Sequence, residues 1–135
     1  MLTITKRFEF DAAHQLPFHQ GKCKNLHGHR YVLEVTLKGK ITPELPWNGV
    51  QSTNPSAGMI MDFGILKKIV KNLVIDIYDH QYLNVYFENP TAEKMVVAIA
   101  FELRQAIKKN ENTNAILWKV RLYETPGSWA EWIAE

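Results

Sequence analysis

Two segments of this chain alternate polar and apolar residues along their whole length, and that period of two constrains the fold more than any other feature. In TITKRFEFDAAH, residues 3–14, Ile4, Phe8, Phe10, Ala12 and His14 fall on one side. Thr3, Thr5, Arg7, Glu9 and Asp11 fall on the other, and only Lys6 interrupts the apolar side. In HGHRYVLEVTLKG, residues 27–39, His27, His29, Tyr31, Leu33, Val35 and Leu37 share one side, with Arg30, Glu34, Thr36 and Lys38 opposite. Extended chain points successive side chains to opposite faces, so each segment predicts a strand with one buried face.

The period then changes. In DFGILKKIVKNLVIDIY, residues 62–78, Leu66, Ile69, Val70, Leu73 and Ile77 recur at helical spacing, and Asp62 stands where an N-cap belongs. A second helix is predicted in NPTAEKMVVAIAFELRQAIKK, residues 89–109, capped by Thr91, with Met95, Ile99, Leu103, Ala106 and Ile107 inward. YDHQYLN connects the two. ILWKVRLYE reads as a strand with Trp118, Val120 and Leu122 on its inner face, and WAEWI, after the turn TPGS, as a short last strand. The order is strand, strand, helix, helix, strand, strand. Helices grouped between strand pairs favour an antiparallel α+β fold: a four-stranded sheet with both helices on one face, the other face solvated or covered by a second subunit.

Composition sets outer bounds. A chain of 135 residues suits a single domain, 1–135, and 46% hydrophobic with 22% charged residues suits a real core. Residues 41–58 hold three prolines and two glycines and read as a long loop inside that domain. A net charge of +2, without basic clusters, argues against a nucleic-acid or anionic-membrane partner. No stretch approaches the roughly 18 apolar residues of a membrane span, and the first residues lack a signal-peptide core. One cysteine permits no internal disulfide. A cytoplasmic protein is the expectation.

The chemistry concentrates in KCKNLHGHRY, residues 22–31. His27 and His29 lie on the apolar face of their strand, and His14 ends the apolar face of the preceding one. If the two strands pair as an antiparallel hairpin, three imidazoles converge at one end, all directed inward. A single buried histidine is most often hydrogen-bonded core. Three together each need a partner, and one divalent ion serves all three. Three nitrogens leave a tetrahedral ion one open position, the pattern of catalytic zinc. Gly28 between them would let the backbone approach the ion or bend the strand. His19, among turn residues, reads as a surface histidine.

Cys23 precedes His27 by four positions. It reads as a base or nucleophile beside the ion, as an incidental thiol, or as a fourth ligand that would close the site. Asp79 and His80 are adjacent in a turn, where a carboxylate can orient an imidazole. Glu124 lies on the Trp118, Val120, Leu122 face, so the period carries a carboxylate inward. It needs an Arg or Lys of this chain, or a ligand with adjacent N–H donors.

Taken in order, FDAAH, CKNLHGHRY, MDF, YDHQYLN, NPTAE and YETPGSWAEW resemble the 6-pyruvoyltetrahydropterin synthase superfamily, and within it the 6-carboxytetrahydropterin synthase branch of the queuosine pathway. The resemblance spans nearly the whole chain; residues 41–58 are its least similar part. It implies the tunnelling fold, in which subunits join their sheets into a barrel and two rings stack, so that a homo-oligomer, a hexamer, is expected. It implies zinc on His14, His27 and His29, Cys23 as general base, Asp79 and His80 as a relay contributed across a subunit interface, and Glu124 with the Thr91 region as the pterin site. The implied reaction converts 7,8-dihydroneopterin triphosphate to 6-carboxy-5,6,7,8-tetrahydropterin, acetaldehyde and triphosphate. Within the family, three residues between Cys23 and His27 match the carboxy branch; pyruvoyl synthases carry a longer insert. The alternatives are a pyruvoyl synthase, which only eliminates triphosphate, and a non-catalytic zinc-stabilised pterin-binding module with Cys23 as fourth ligand.

Overall fold

The computed structural model describes residues 1–42, 56–111 and 113–135. Strands β1 (Leu2–His14) and β2 (His27–Gly39) form an antiparallel hairpin, paired without a break from Leu2 opposite Gly39 to His14 opposite His27. Helix α1 (Phe63–Val70) runs through a π turn (Lys71–Ile75) into a last short helical turn, α2 (Asp76–Tyr78). Next come a two-residue strand β3 (Gln81–Tyr82), the long helix α3 (Ala92–Lys108), and the hairpin of β4 (Ile116–Thr125) and β5 (Ser128–Ile133). The sheet order is β3-β1-β2-β4-β5.

The α+β reading, with four antiparallel strands and two main helices, stands. The structure adds β3, which pairs parallel to β1 through Ala12–Gln81 and Ala13–Tyr82. So short a segment carries no alternation, and its pairing is decided by tertiary placement alone. Most of the loop expected at 41–58 falls outside the described residues. Its two ends are tied together, Thr42 N donating to Met59 O and Gly58 N to Thr42 O.

The core forms where the apolar sides meet. Tyr31, Leu33, Val35 and Leu37 of β2 are fully buried against Met95, Ile99 and Leu103 of α3 and Leu66 and Val70 of α1. Each such side chain contributes about 1.5–3 kcal/mol relative to an exposed one. Both caps form as the sequence indicates: Asp62 accepts from Gly64 N at 2.6 Å and Thr91 from Lys94 N at 3.2 Å.

Two inward faces differ from the sequence reading. The π turn shifts the α1 stripe to Leu66, Val70 and Val74, leaving Ile77 37% exposed. In β4, Lys119 pairs with Thr36 but Leu117 with Leu37, so Trp118 is an extra residue in the ladder. Leu117 rather than Trp118 fills the core, and the Trp118 ring instead lies 4.0 Å from the Lys38 ammonium. The opposite face of the sheet is polar, as the alternation requires. There Arg121 Nε donates to Glu131 at 2.8 Å and the Tyr123 hydroxyl to Glu34 at 3.0 Å.

Candidate active site

Because β1 and β2 end together, their last inward positions face each other, and His14, His27 and His29 meet beneath the end of α3. One ligand nitrogen from each lies within 4.8 Å of the other two. His14 is completely buried; the other two are half-buried.

The hydrogen bonds assign the tautomers. His14 Nδ1 lies 2.9 Å from the Pro90 carbonyl and His27 Nδ1 2.7 Å from the Asn25 carbonyl. A carbonyl only accepts, so both Nδ1 atoms carry the proton. That leaves lone pairs on both Nε2 atoms, which nevertheless stand 3.0 Å apart. Two facing lone pairs repel unless a cation sits against them. The third nitrogen, His29 Nε2, is buried without a hydrogen-bond partner, which costs about 1–3 kcal/mol. Burial, together with the neighbouring imidazoles, holds His14 and His29 below the usual histidine range, which disfavours protonating either of them. Three converging imidazole nitrogens, two of them Nε2 lone pairs, fit a metal ion, and the outer hydrogen bonds to Pro90 and Asn25 orient those two rings for it.

Cys23 stands apart from this trio. It sits half-buried on a single 3-10 turn, Lys22–Lys24, in the loop joining β1 to β2, with its carbonyl accepting from Leu16 N at 2.8 Å. Among the described residues the mutually close set around this point therefore consists of the three histidines, without Cys23.

Asp79 and His80 gather with Asp11 in a second cluster at the β3 edge. Asp79 Oδ1 accepts from Asp11 N at 3.0 Å and lies 3.0 Å from His80 Nδ1. The Asp11 amide, and next the His80 ring, hold the Asp79 carboxyl below its usual range. His80 adopts a φ of 60°, the left-handed region, and its own N–H donates to Asp11 O at 2.6 Å. Such backbone costs on the order of 1–3 kcal/mol; here it turns a 78% exposed imidazole outward from the sheet edge. A groove of about 580 Å³ runs along this end of the sheet, with Gly28, His29 and Arg30 on one side and Asp11, His80 and Tyr82 on the other.

Glu124 reaches the metal cluster from β4, Oε2 lying 4.0 Å from His29 Nε2. His29 is held neutral, so this is not an ion pair. Among the described residues no Arg or Lys lies within salt-bridge reach of Glu124. Burial first, and then Glu93, raise its carboxyl above the usual range. Thr91, the other residue expected near the ring, spends its hydroxyl oxygen on capping α3. Its neighbour Pro90 supplies the His14 partner.

The raised Glu124 carboxyl has a measurable consequence. Between the ordinary carboxylate value and the raised one, the folded chain keeps a proton that the unfolded chain has lost. Glu124 therefore subtracts stability as pH rises through that window, and the loss persists at neutral pH. Metal-free Glu124→Gln should melt above the unaltered chain at pH 7, with the gap closing near pH 4. A thermal scan showing no gain at pH 7 would refute the idea that this carboxylate is held at a cost to the fold.

Some site residues escaped the sequence reading. Tyr31, fully buried, places its hydroxyl 3.2 Å from His14 Nδ1 and stacks on Phe10 at 5.1 Å. It is two residues beyond His29 on the same face, so the period could have found it. Pro90 and Asn25 act through backbone carbonyls, which no side-chain pattern reveals. Gly28 turns out not to be required by the backbone: the ladder passes regularly through Ala13–Gly28, and an added Cβ would meet only the Ala12 carbonyl at 3.5 Å.

The family model for 6-pyruvoyl tetrahydropterin synthase matches residues 3–135. The chain belongs to the 6-pyruvoyl tetrahydropterin synthase family. It is 35% identical to the 6-carboxy-5,6,7,8-tetrahydropterin synthase of Rickettsia bellii, over 97% of this chain and 99% of that one. It is 39% identical to the enzyme of the same name from Synechocystis, over 78% of each. Among solved structures, that of Caenorhabditis elegans 6-pyruvoyl tetrahydropterin synthase superposes with a TM-score of 0.76 at 28% identity, covering 99% of this chain and 96% of that one. The fold of this family is thus the tunnelling fold expected from the motifs. No helix among the described residues is long and apolar enough to cross a membrane.

Proposed function

We propose that this member of the family is a zinc-dependent lyase of the queuosine pathway that converts 7,8-dihydroneopterin triphosphate and water to 6-carboxy-5,6,7,8-tetrahydropterin, acetaldehyde and triphosphate. The observation that carries the proposal is the three-imidazole cluster with its opposed lone pairs and orphaned His29 nitrogen, set beside a glutamate with no Arg or Lys partner among the described residues. Likeness to carboxy synthases over nearly the whole chain supports the choice of product, as does the three-residue spacing from Cys23 to His27.

His14, His27 and His29 would hold the zinc. When bound, the ion supplies Lewis acidity to the oxygens of the substrate side chain. Glu124 accepts from the adjacent N–H donors of the pterin ring, a partner it lacks among the described residues, and so fixes the ring while the side chain lies over the cluster. Cys23 takes the proton from the side-chain carbon, and His80, oriented by Asp79, moves a proton at a neighbouring position. The site is completed between subunits of a homo-oligomer. That view is supported by His80 facing outward at one sheet edge and by the second edge, β5, where Trp129 and Ile133 are about half exposed.

The pyruvoyl reading has its own support in the likeness to the nematode pyruvoyl synthase. The two differ in one bond. Incubation with dihydroneopterin triphosphate should yield acetaldehyde in equal amount to 6-carboxytetrahydropterin. Triphosphate release with 6-pyruvoyltetrahydropterin and no acetaldehyde would overturn the carboxy reading, and tight pterin binding without turnover would favour the binding module.

A further inference from the structure

The segment that carries Asp79 and His80 is held to β1 by more than the two residues of β3. At its start, Asp79 Oδ1 accepts from Asp11 N at 3.0 Å and His80 N donates to Asp11 O at 2.6 Å. The parallel ladder then takes Ala12 and Ala13. Beyond it lies Gln15, past the end of β1, whose backbone would have no strand to pair with. There Asn84 supplies one. Gln15 N donates to Asn84 Oδ1 at 2.9 Å, and Asn84 Nδ2 donates to Gln15 O at 2.8 Å. A carboxamide presents one acceptor and one donor in a plane, as a peptide group does, so the Asn84 side chain continues the ladder as a surrogate strand residue. Asp cannot donate to the carbonyl, and a serine hydroxyl cannot span both groups.

The clamp is next to the chemistry at both ends. Gln15 directly follows His14, whose ring is also held from the same segment through Pro90 O at 2.9 Å. Asn84 follows His80 by four residues, and the His80 backbone is in a left-handed conformation that surrounding bonds must maintain. We infer that Asn84 is a positioning residue: its bidentate bond to the Gln15 backbone fixes His14 for the metal and His80 for proton transfer in one register. No other described side chain bonds both backbone groups of one residue in β1 or its extension. The inference rests on the three-histidine metal reading proposed above.

The test compares the unaltered chain with Asn84→Ala and with the near-isosteric Asn84→Leu. Zinc affinity is read by competition with a chromophoric chelator, and the metal-free melting temperature by calorimetry. Removing a partner bonded to a metal ligand typically costs about 10–100-fold; Asn84 acts one bond further out, through the Gln15 backbone, so zinc affinity should fall by several-fold, at most about 10-fold, in both variants. A merely structural role would lower the melting temperature and leave the affinity of the folded protein unmoved. In the zinc-loaded variants kcat should fall while KM for the pterin substrate stays in place, because the clamp touches no substrate. A measurement on the unaltered chain needs no variant: hydrogen exchange of the Gln15 amide should slow further when zinc is added. Unchanged zinc affinity and kcat in folded variants would overturn the inference. So would a Gln15 amide indifferent to zinc, and that result decides the matter if both variants fail to fold. If the unaltered chain binds no zinc, the metal reading falls and this inference with it; if only the variants behave like the unaltered chain, this inference falls alone.

Discussion

Purified His29→Ala protein is expected to carry no metal and yet to stay folded. The loss should exceed the roughly 100-fold that removal of an outer-shell partner can cost, because a ligand itself is gone and two imidazoles remain. Folding should survive for a local reason. His29 Nε2 has no hydrogen bond to lose in the metal-free protein, so its removal also removes an unsatisfied buried group. His14→Ala is the less informative variant: that ring is completely buried and bonded to Pro90, and its deletion opens a cavity in the core. Elemental analysis and far-UV circular dichroism on the same sample check both halves of the expectation. A His29→Ala protein that retains stoichiometric metal would remove the three-histidine centre from consideration. One that unfolds on losing metal would favour a structural ion instead.

Cys23→Ala should separate metal binding from turnover in the opposite way. The cysteine lies outside the mutually close set of three imidazole nitrogens, so metal content should be unchanged. General-base groups contribute about 10²–10⁴-fold, and turnover of dihydroneopterin triphosphate should fall by that order. Substrate binding, assigned to Glu124 in the proposed function, should be nearly preserved, so the loss belongs in kcat rather than KM. Loss of metal together with activity would show that the thiol is a fourth ligand and that the site is closed. A variant with near-normal rate would make Cys23 a bystander of the turn on which it sits.

These two experiments divide a site that the chain assembles from separated pieces. The hairpin of β1 and β2 carries the three histidines proposed as metal ligands and, in its connecting loop, Cys23. The segment from Asp79 to Pro90 carries the proposed proton relay and the carbonyl that orients His14. The β4 strand brings Glu124 from the opposite side of the sheet order, across β2. The rigid part is the sheet, and the groups proposed to move protons stand on turns at its end.

What the residues determined by themselves was which way each side chain faces. Alternation in β1 and β2 put His14, His27 and His29 on the apolar side, and the same rule in β4 carried Glu124 inward. The helix caps at Asp62 and Thr91 were equally local, since each depends on a side chain within a few positions of the amide it caps. Tertiary structure decided everything that needs a register. A slip of two residues between β1 and β2 would preserve every face and still separate His14 from His27; only the continuous pairing from Leu2–Gly39 to His14–His27 brings the imidazoles together. The bulge that expels Trp118, the π turn that exposes Ile77 and the parallel strand β3 each follow from fitting one element against another. The tautomers of His14 and His27 are set by the carbonyls of Pro90 and Asn25. Every residue owns such a carbonyl, so side-chain identity carries no trace of which one will meet the ring; that is settled when the chain packs.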